Sequence, residues 1–315
     1  MKKLIYILSI ISVLFACTKE VVIDIPGFEE QIVLDGRIDT GQPPFLLISK
    51  SKDIYAQTDL TAFLNSFVTG AQVTVSNGTT TVQLIEVCTD NLPPGSEPFV
   101  AELLGIPVAD LATVSICGYT SLDPLIFGEV GKSYDLTVSF EGETYTATTK
   151  IEVPVSLDAV YWKPDGNLTN YGFSWATLSD PPGQYDAYMW ESKRINTDAN
   201  GDPLDASFLR PFGSVFDDEF FGGLTFDFFF DNPAAHGSGV ADGLEGLYAL
   251  NDTVVIRFSR IDKGVFEFME KKDIQQATAG NPFATPTNIP NNITGGALGI
   301  WAGYSPTFDT LICVP

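Results

Sequence analysis

The stretch Ala71-Gln-Val-Thr-Val-Ser-Asn-Gly-Thr-Thr-Thr-Val-Gln-Leu-Ile85 decides the fold class. Val73 and Val75 alternate with Gln72, Thr74 and Ser76, the two-residue period of a half-buried strand. Asn77-Gly78 follows, a dipeptide whose residues both accept the positive φ of a tight hairpin turn. A second run, Thr80 to Ile85, then returns. Working outward, similar runs stand at Gln31–Asp35, Phe45–Ser49, Ser133–Ser139 and Thr144–Ile151, with a second tight turn at Glu141-Gly142-Glu143. Strands at this spacing predict an all-β chain whose first domain, residues 31–154, is an Ig-like sandwich of about seven strands. Residues 90–116 are Pro-rich, with a short helix predicted over 98–104, and read as an insertion in that sandwich.

A second β-rich domain, sandwich or barrel-like, is predicted over 155–315. Tyr161-Trp162, Phe173-Ser-Trp175 and Tyr188-Met-Trp190 are aromatic strand segments, and Thr253–Phe258 is a strand. Lys263–Ala277 predicts one helix, placed near 262–278. Ser259 or Asp262 caps it, Val265, Phe266, Phe268, Met269 and Ile274 form its apolar face, and Gly280 stops it. Gly295–Tyr304 predicts a closing strand whose glycines imply bends or close backbone approach.

The chain opens with Lys2-Lys3, an apolar run from Leu4 to Phe15, then Ala16-Cys17. A basic start, a short apolar core and a small residue before the boundary predict a signal peptide over 1–16. The run is too short to span a bilayer. Cys directly after the small residue predicts lipidation at Cys17 with a tether over 17–30, so the protein is expected at the outer membrane, on the cell surface or on the periplasmic face. Formal net charge is −23, and −25 once Lys2 and Lys3 are removed. Such a surface repels nucleic-acid phosphates and disfavours that class of partner.

Cys88 and Cys117 flank the insertion and are the expected disulfide in an export compartment, leaving Cys313 as a buried odd thiol. His236 is the single histidine, which excludes multi-His zinc sites and a second imidazole for a relay. Asp198-x-Asn200-x-Asp202 places oxygens at alternate positions, as a calcium loop does. Pro203, however, stands where an EF-hand needs Gly, so a solvated hairpin turn is the better reading. Asp217-Asp218-Glu219 beside Phe220-Phe221 reads either as a cation-binding run or as charge guarding an apolar segment. Phe220, Phe221, Trp301 and Tyr304 are the candidate partner-binding residues, with core packing the alternative. No phosphate loop, dinucleotide fingerprint or nucleophile elbow occurs.

Two end motifs carry a family resemblance. Cys17–Pro26 followed by Ile32-Val-Leu-Asp-Gly36 and Gly41-Gln-Pro-Pro44, with Gly280–Ile289, Asn292–Gly296 and Leu298-Gly-Ile-Trp-Ala-Gly-Tyr304 at the far end, resembles the Bacteroidota lipoprotein family DUF4249. The resemblance implies an accessory role beside a β-barrel outer-membrane protein of the TonB-dependent receptor type, in substrate capture or complex assembly. It carries over no catalytic residues or cofactors. The alternative is a surface hydrolase of polymer fragments, which needs convergent carboxylates of split pKa.

Overall fold

The computed structural model describes residues 28–52, 59–166, 168–199, 201–236, 239–278 and 288–314. The predicted signal peptide, Cys17, most of the tether, Asn200 and Gly280 lie outside them. From Gln31 onward the chain is one compact unit.

The chain is mostly strand. In order come β1 (Ile32–Asp39), β2 (Phe45–Lys50), β3 (Gln72–Ser76), β4 (Thr81–Gln83), β5 (Ile85–Cys88), β6 (Cys117–Thr120), β7 (Ser133–Phe140) and β8 (Glu143–Lys150). Then follow β9 (Ala159–Asp165), β10 (Leu168–Ser179), β11 (Ala187–Arg194), β12 (Val215–Asp217), β13 (Thr225–Phe230), β14 (Tyr248–Ala249), β15 (Thr253–Ile261), β16 (Ile293–Thr294) and β17 (Leu298–Ile312). Among the described residues three α-helices interrupt them, α1 (Leu60–Leu64), α2 (Glu97–Leu104) and α3 (Lys263–Thr278).

The Asn77-Gly78 turn joins β3 to β4 as the dipeptide predicts, with Ser76 opposite Thr81. Asn77 Oδ1 accepts from the Thr79 and Thr80 amides and holds the turn closed. One large sheet runs β12-β11-β15-β17-β1-β2-β6-β5, a five-stranded sheet runs β16-β8-β7-β3-β4, and a smaller sheet runs β13-β10-β14 with β9 also on β10.

β17 is the spine. Its first half pairs parallel to β1, Val33 with Leu298 through Asp39 with Tyr304. Its second half pairs antiparallel to β15, Arg260 with Ser305 through Thr253 with Ile312. Each half therefore contributes to a different sandwich. In the first, Leu34, Ile38, Leu46, Ile48 and Trp301 face Val73, Val75, Tyr134, Leu136 and Val138. In the second, Tyr188, Trp190, Val254, Ile256 and Phe258 face Trp162, Ala176 and Leu178. Phe226, Phe228 and Phe230 of β13 also pack on that core, while Phe229 points out, the alternation a strand imposes.

Both sandwiches are open. The expected break at 154/155 is where one core gives way to the other rather than a clean division of the chain, because Ile293, Ala297 and Trp301 return to the first core.

Trp301 and Gly36 are neighbours in the parallel ladder. A Cβ on Gly36 would lie 2.6 Å from Trp301 Cε3, so the missing side chain opens the space the indole fills. Trp301 Nε1 donates to the Tyr134 carbonyl at 2.9 Å, which satisfies its polar edge in the core. Gly299, at φ 111°, passes so close to the Leu34 carbonyl that no side chain fits. These are the bends and close approaches that the glycines of the closing strand predict.

The outer face of the large sheet carries a third cluster, where Met189, Ile261, Ile300, Ala302 and Tyr304 meet Val265 and Phe266 of α3. Asp262 caps α3, accepting from the Val265 amide at 2.9 Å. Ser259, the other expected cap, is a buried residue of β15. Ile274 is 38% exposed and off the packed face, where Asp273 is buried instead.

Cys88 and Cys117 are directly opposite in β5 and β6 and form the disulfide. Cys313 is a free thiol, fully buried. Burial, reinforced by Asp252, pushes its pKa up to about 12. Iodoacetamide at neutral pH should therefore leave Cys313 unlabelled in the native protein and label it after unfolding. Trp301→Ala should destabilise the protein by about 3–5 kcal/mol in denaturant titration, through a cavity in the first core and an orphaned Tyr134 carbonyl.

Candidate ligand-binding site

The disulfide fixes both ends of the insertion on adjacent strands, so residues 89–116 must arch over the outer face of β2, β6 and β5. α2 forms within that arch, and Gly105, at φ 68°, ends it in the left-handed conformation. Beneath it lies a cavity of about 290 Å³. Phe45, Leu47 and Val87 line it from the strands, and Phe99, Val100 and Leu104 from α2.

The hydroxyls at its wall are turned to the backbone. Thr120 Oγ1 donates to the Pro44 carbonyl at 2.7 Å, Ser96 Oγ to Pro93 at 2.6 Å, and Thr89 Oγ1 to Val114. The space they leave is apolar and suits the aliphatic or aromatic body of a ligand.

A second cleft of about 430 Å³ adjoins it, sharing Gln42, Pro43, Phe99 and Leu104. Its floor is charged because alternate residues of β1, β11 and β15 present Arg37, Asp39, Glu191 and Arg257. Arg257 grips Glu191 with two bonds of 2.6 Å. Arg37 donates to Asp39 at 3.0 and 2.6 Å. Lys193 reaches Glu102 of α2 at 2.6 Å, and the other oxygen of Glu102 accepts from the Phe208 amide at 2.8 Å. The cap helix is thus tied to the sheet and to the loop before β12.

Rings cover these pairs. Arg257 lies 4.8 Å above Phe208 and Arg37 4.9 Å above Tyr304. Burial lowers the Arg37 pKa, but Asp39 outweighs it and the guanidinium is held charged more firmly than usual. Burial likewise drives the Tyr304 phenol well above its ordinary range. Each carboxylate of this cleft, Asp39, Glu102 and Glu191, is thereby engaged by a cation.

The residues singled out in the sequence fall elsewhere. Trp301 is fully buried in the first core, and Tyr304 is 5% exposed against α3 and Arg37. Both are corrected from partner anchors to packing residues, because the two faces of β17 are both covered. Phe221 is also a packing residue, its ring 4.5 Å from Phe226 and 6.0 Å from Phe216. Phe220 is 88% exposed.

Asp198 and Asp202 close a hairpin turn, and Asn200 between them lies outside the described residues. The Asp202 amide donates to Asp198 Oδ1 at 3.0 Å, and the Asp198 amide to the Asp202 carbonyl at 2.8 Å. His236 sits in a loop with Nε2 2.7 Å from Asp231 Oδ2.

The sequence matches the model of a domain of unknown function, DUF4249, over residues 18–308. The chain belongs to the DUF4249 family. The matched span covers the first sandwich, the cap, both cavities and the second sandwich except the end of β17. A comparison with curated proteins finds no match. Among the described residues, no helix is long and apolar enough to cross a membrane.

Apolar occupancy of the first cavity is testable with a hydrophobic fluorescent probe such as N-phenyl-1-naphthylamine. Val100→Lys, which places an ammonium on the half-buried face of α2, should weaken probe affinity at least tenfold with little change in melting temperature.

Proposed function

We propose that this DUF4249 protein is a lipid-anchored outer-membrane binding protein that captures an amphipathic ligand and works beside a β-barrel outer-membrane protein of the TonB-dependent receptor type. The observation that carries this reading is the apolar cavity closed by a disulfide-pinned cap and opening beside a charged cleft. An apolar body enters the first space, and a polar head meets the ion-paired floor of the second. Capture is favoured over hydrolysis because the cleft carboxylates are held by Arg37, Lys193 and Arg257, whereas glycoside hydrolysis needs an acid and a base free to exchange protons.

Anchoring rests on Lys2-Lys3, the run to Phe15 and Cys17. Confinement to one membrane raises the effective concentration of protein and barrel, so a small contact suffices. Phe220, exposed beside Asp217 and Glu219, is the proposed apolar contact.

The test is purification from native membranes in mild detergent, with co-purifying proteins and extracted small molecules both identified by mass spectrometry. The wild-type protein should bring down a β-barrel protein and an amphipathic compound. Cys17→Ser should lose the membrane fraction, Phe220→Ser should lose the barrel while keeping its thermal stability, and Val100→Lys should lose the compound. A purified protein that cleaves polymer fragments would overturn the reading in favour of the hydrolase.

A further inference from the structure

The far end of the second sandwich holds a feature that the ligand site does not use. Asp180 follows β10, Asp186 precedes β11, and Asp218 follows β12. All three are buried, at 5%, 0% and 7% exposure. One carboxylate oxygen of each lies within 4.8 Å of the other two.

Their surroundings supply one positive charge. Arg260 pairs with Asp186, its Nη1 donates to the Val153 carbonyl at 3.1 Å and its Nη2 to that of Tyr185 at 3.5 Å, and its buried Nε has no partner among the described residues. Asp180 accepts from the Tyr188 hydroxyl at 2.5 Å and from the Gly223 amide at 2.8 Å. Gln184 donates to Asp186 at 3.2 Å. Asp218 differs from both. The residue is 7% exposed, and its carboxylate, with one oxygen turned toward the other two, accepts no hydrogen bond and forms no ion pair among the described residues. Three converging carboxylates served by one guanidinium repel one another, so the group calls for a positive ligand.

We propose that Asp180, Asp186 and Asp218 form a calcium site. Three carboxylates against one guanidinium leave a formal charge of −2, which one divalent cation cancels. The donors are all oxygen, the set that hard cations prefer over zinc or copper. Oxygens within 4.8 Å of one another fit around a single centre with Ca–O distances of about 2.3–2.6 Å. Gln184, Gly222 and Gly223 are exposed beside the cluster and leave a path for the ion and for the waters that complete its shell.

The ion joins the two faces of the second sandwich. Asp180 belongs to the end of the smaller sheet, Asp186 and Asp218 to the end of the large one. It also fixes the turn 217–223, which carries Phe220, so calcium would set the position of the proposed apolar contact.

The experiment uses the full-length lipidated protein in detergent, stripped with EDTA and titrated with calcium chloride by isothermal calorimetry and thermal unfolding. Wild type should bind one ion per chain and melt about 5 °C higher at saturation. Asp218→Asn should lose both effects while its metal-free melting temperature stays equal to wild type or rises, since the variant removes an uncompensated charge. Asp198→Asn should keep both. Absence of saturable binding, survival of binding in Asp218→Asn, loss of binding in Asp198→Asn, or an equal response to magnesium would overturn the proposal. If Asp218→Asn does not fold, terbium reads the site in wild type. Emission sensitised by Tyr185 and Tyr188 and displaced by calcium supports the site, and its absence overturns it.

Discussion

The parallel pairing of β1 with β17 is the contact on which the rest of the fold depends. It brings Ile32-Val-Leu-Asp-Gly36 against Leu298-Gly-Ile-Trp-Ala-Gly-Tyr304 in register. Gly36 makes room for the Trp301 indole, and Gly299 lets the two backbones close. The first sandwich then receives its largest fully buried ring from a residue near the C-terminus, and the second receives from the same segment the strand that flanks β15. The glycines cannot be exchanged for larger residues without moving one sheet off the other.

From this spine the site follows. Covering one face of the large sheet with two smaller sheets leaves the other face for α2, α3 and the loop before β12. That outer face is neither dry core nor open surface. Its alternating Arg, Asp and Glu residues are paired and roofed by Phe208 and Tyr304, and the cap contributes the apolar wall. The disulfide keeps the cap in place by restricting the unfolded chain, worth on the order of 3 kcal/mol for a loop of this length in the chain-entropy model.

Local features were legible in the sequence. Alternation marked β3 and β7, Asn77-Gly78 marked the hairpin, the Asp262 cap and the spacing of Val265, Phe266, Phe268 and Met269 marked α3, and the cysteines flanking the insertion marked the disulfide. Long-range arrangement was not legible. Nothing in the local pattern around Trp301 tells that both faces of its strand are covered, so an aromatic, Gly-rich strand reads as surface when it is core. Phe221 misled in the same way, since only the folded chain brings Phe226 and Phe216 against its ring. Asp180, Asp186 and Asp218 are spread over two turns and share no motif, so only folding brings their oxygens together. The cleft pairs are equally non-local, Glu191 and Arg257 being opposite each other on neighbouring strands but far apart in sequence.

A strand from the C-terminus that inserts between β1 and β15 also sets an order of events. Neither sandwich can be completed before β17 is available, because each lacks a strand until then. Contacts of such large sequence separation carry a high loop-closure cost before they return any stability, so maturation of this chain is expected to be slow and concerted. A polypeptide emerging N-terminus first thus stays unlocked until β17 has been made.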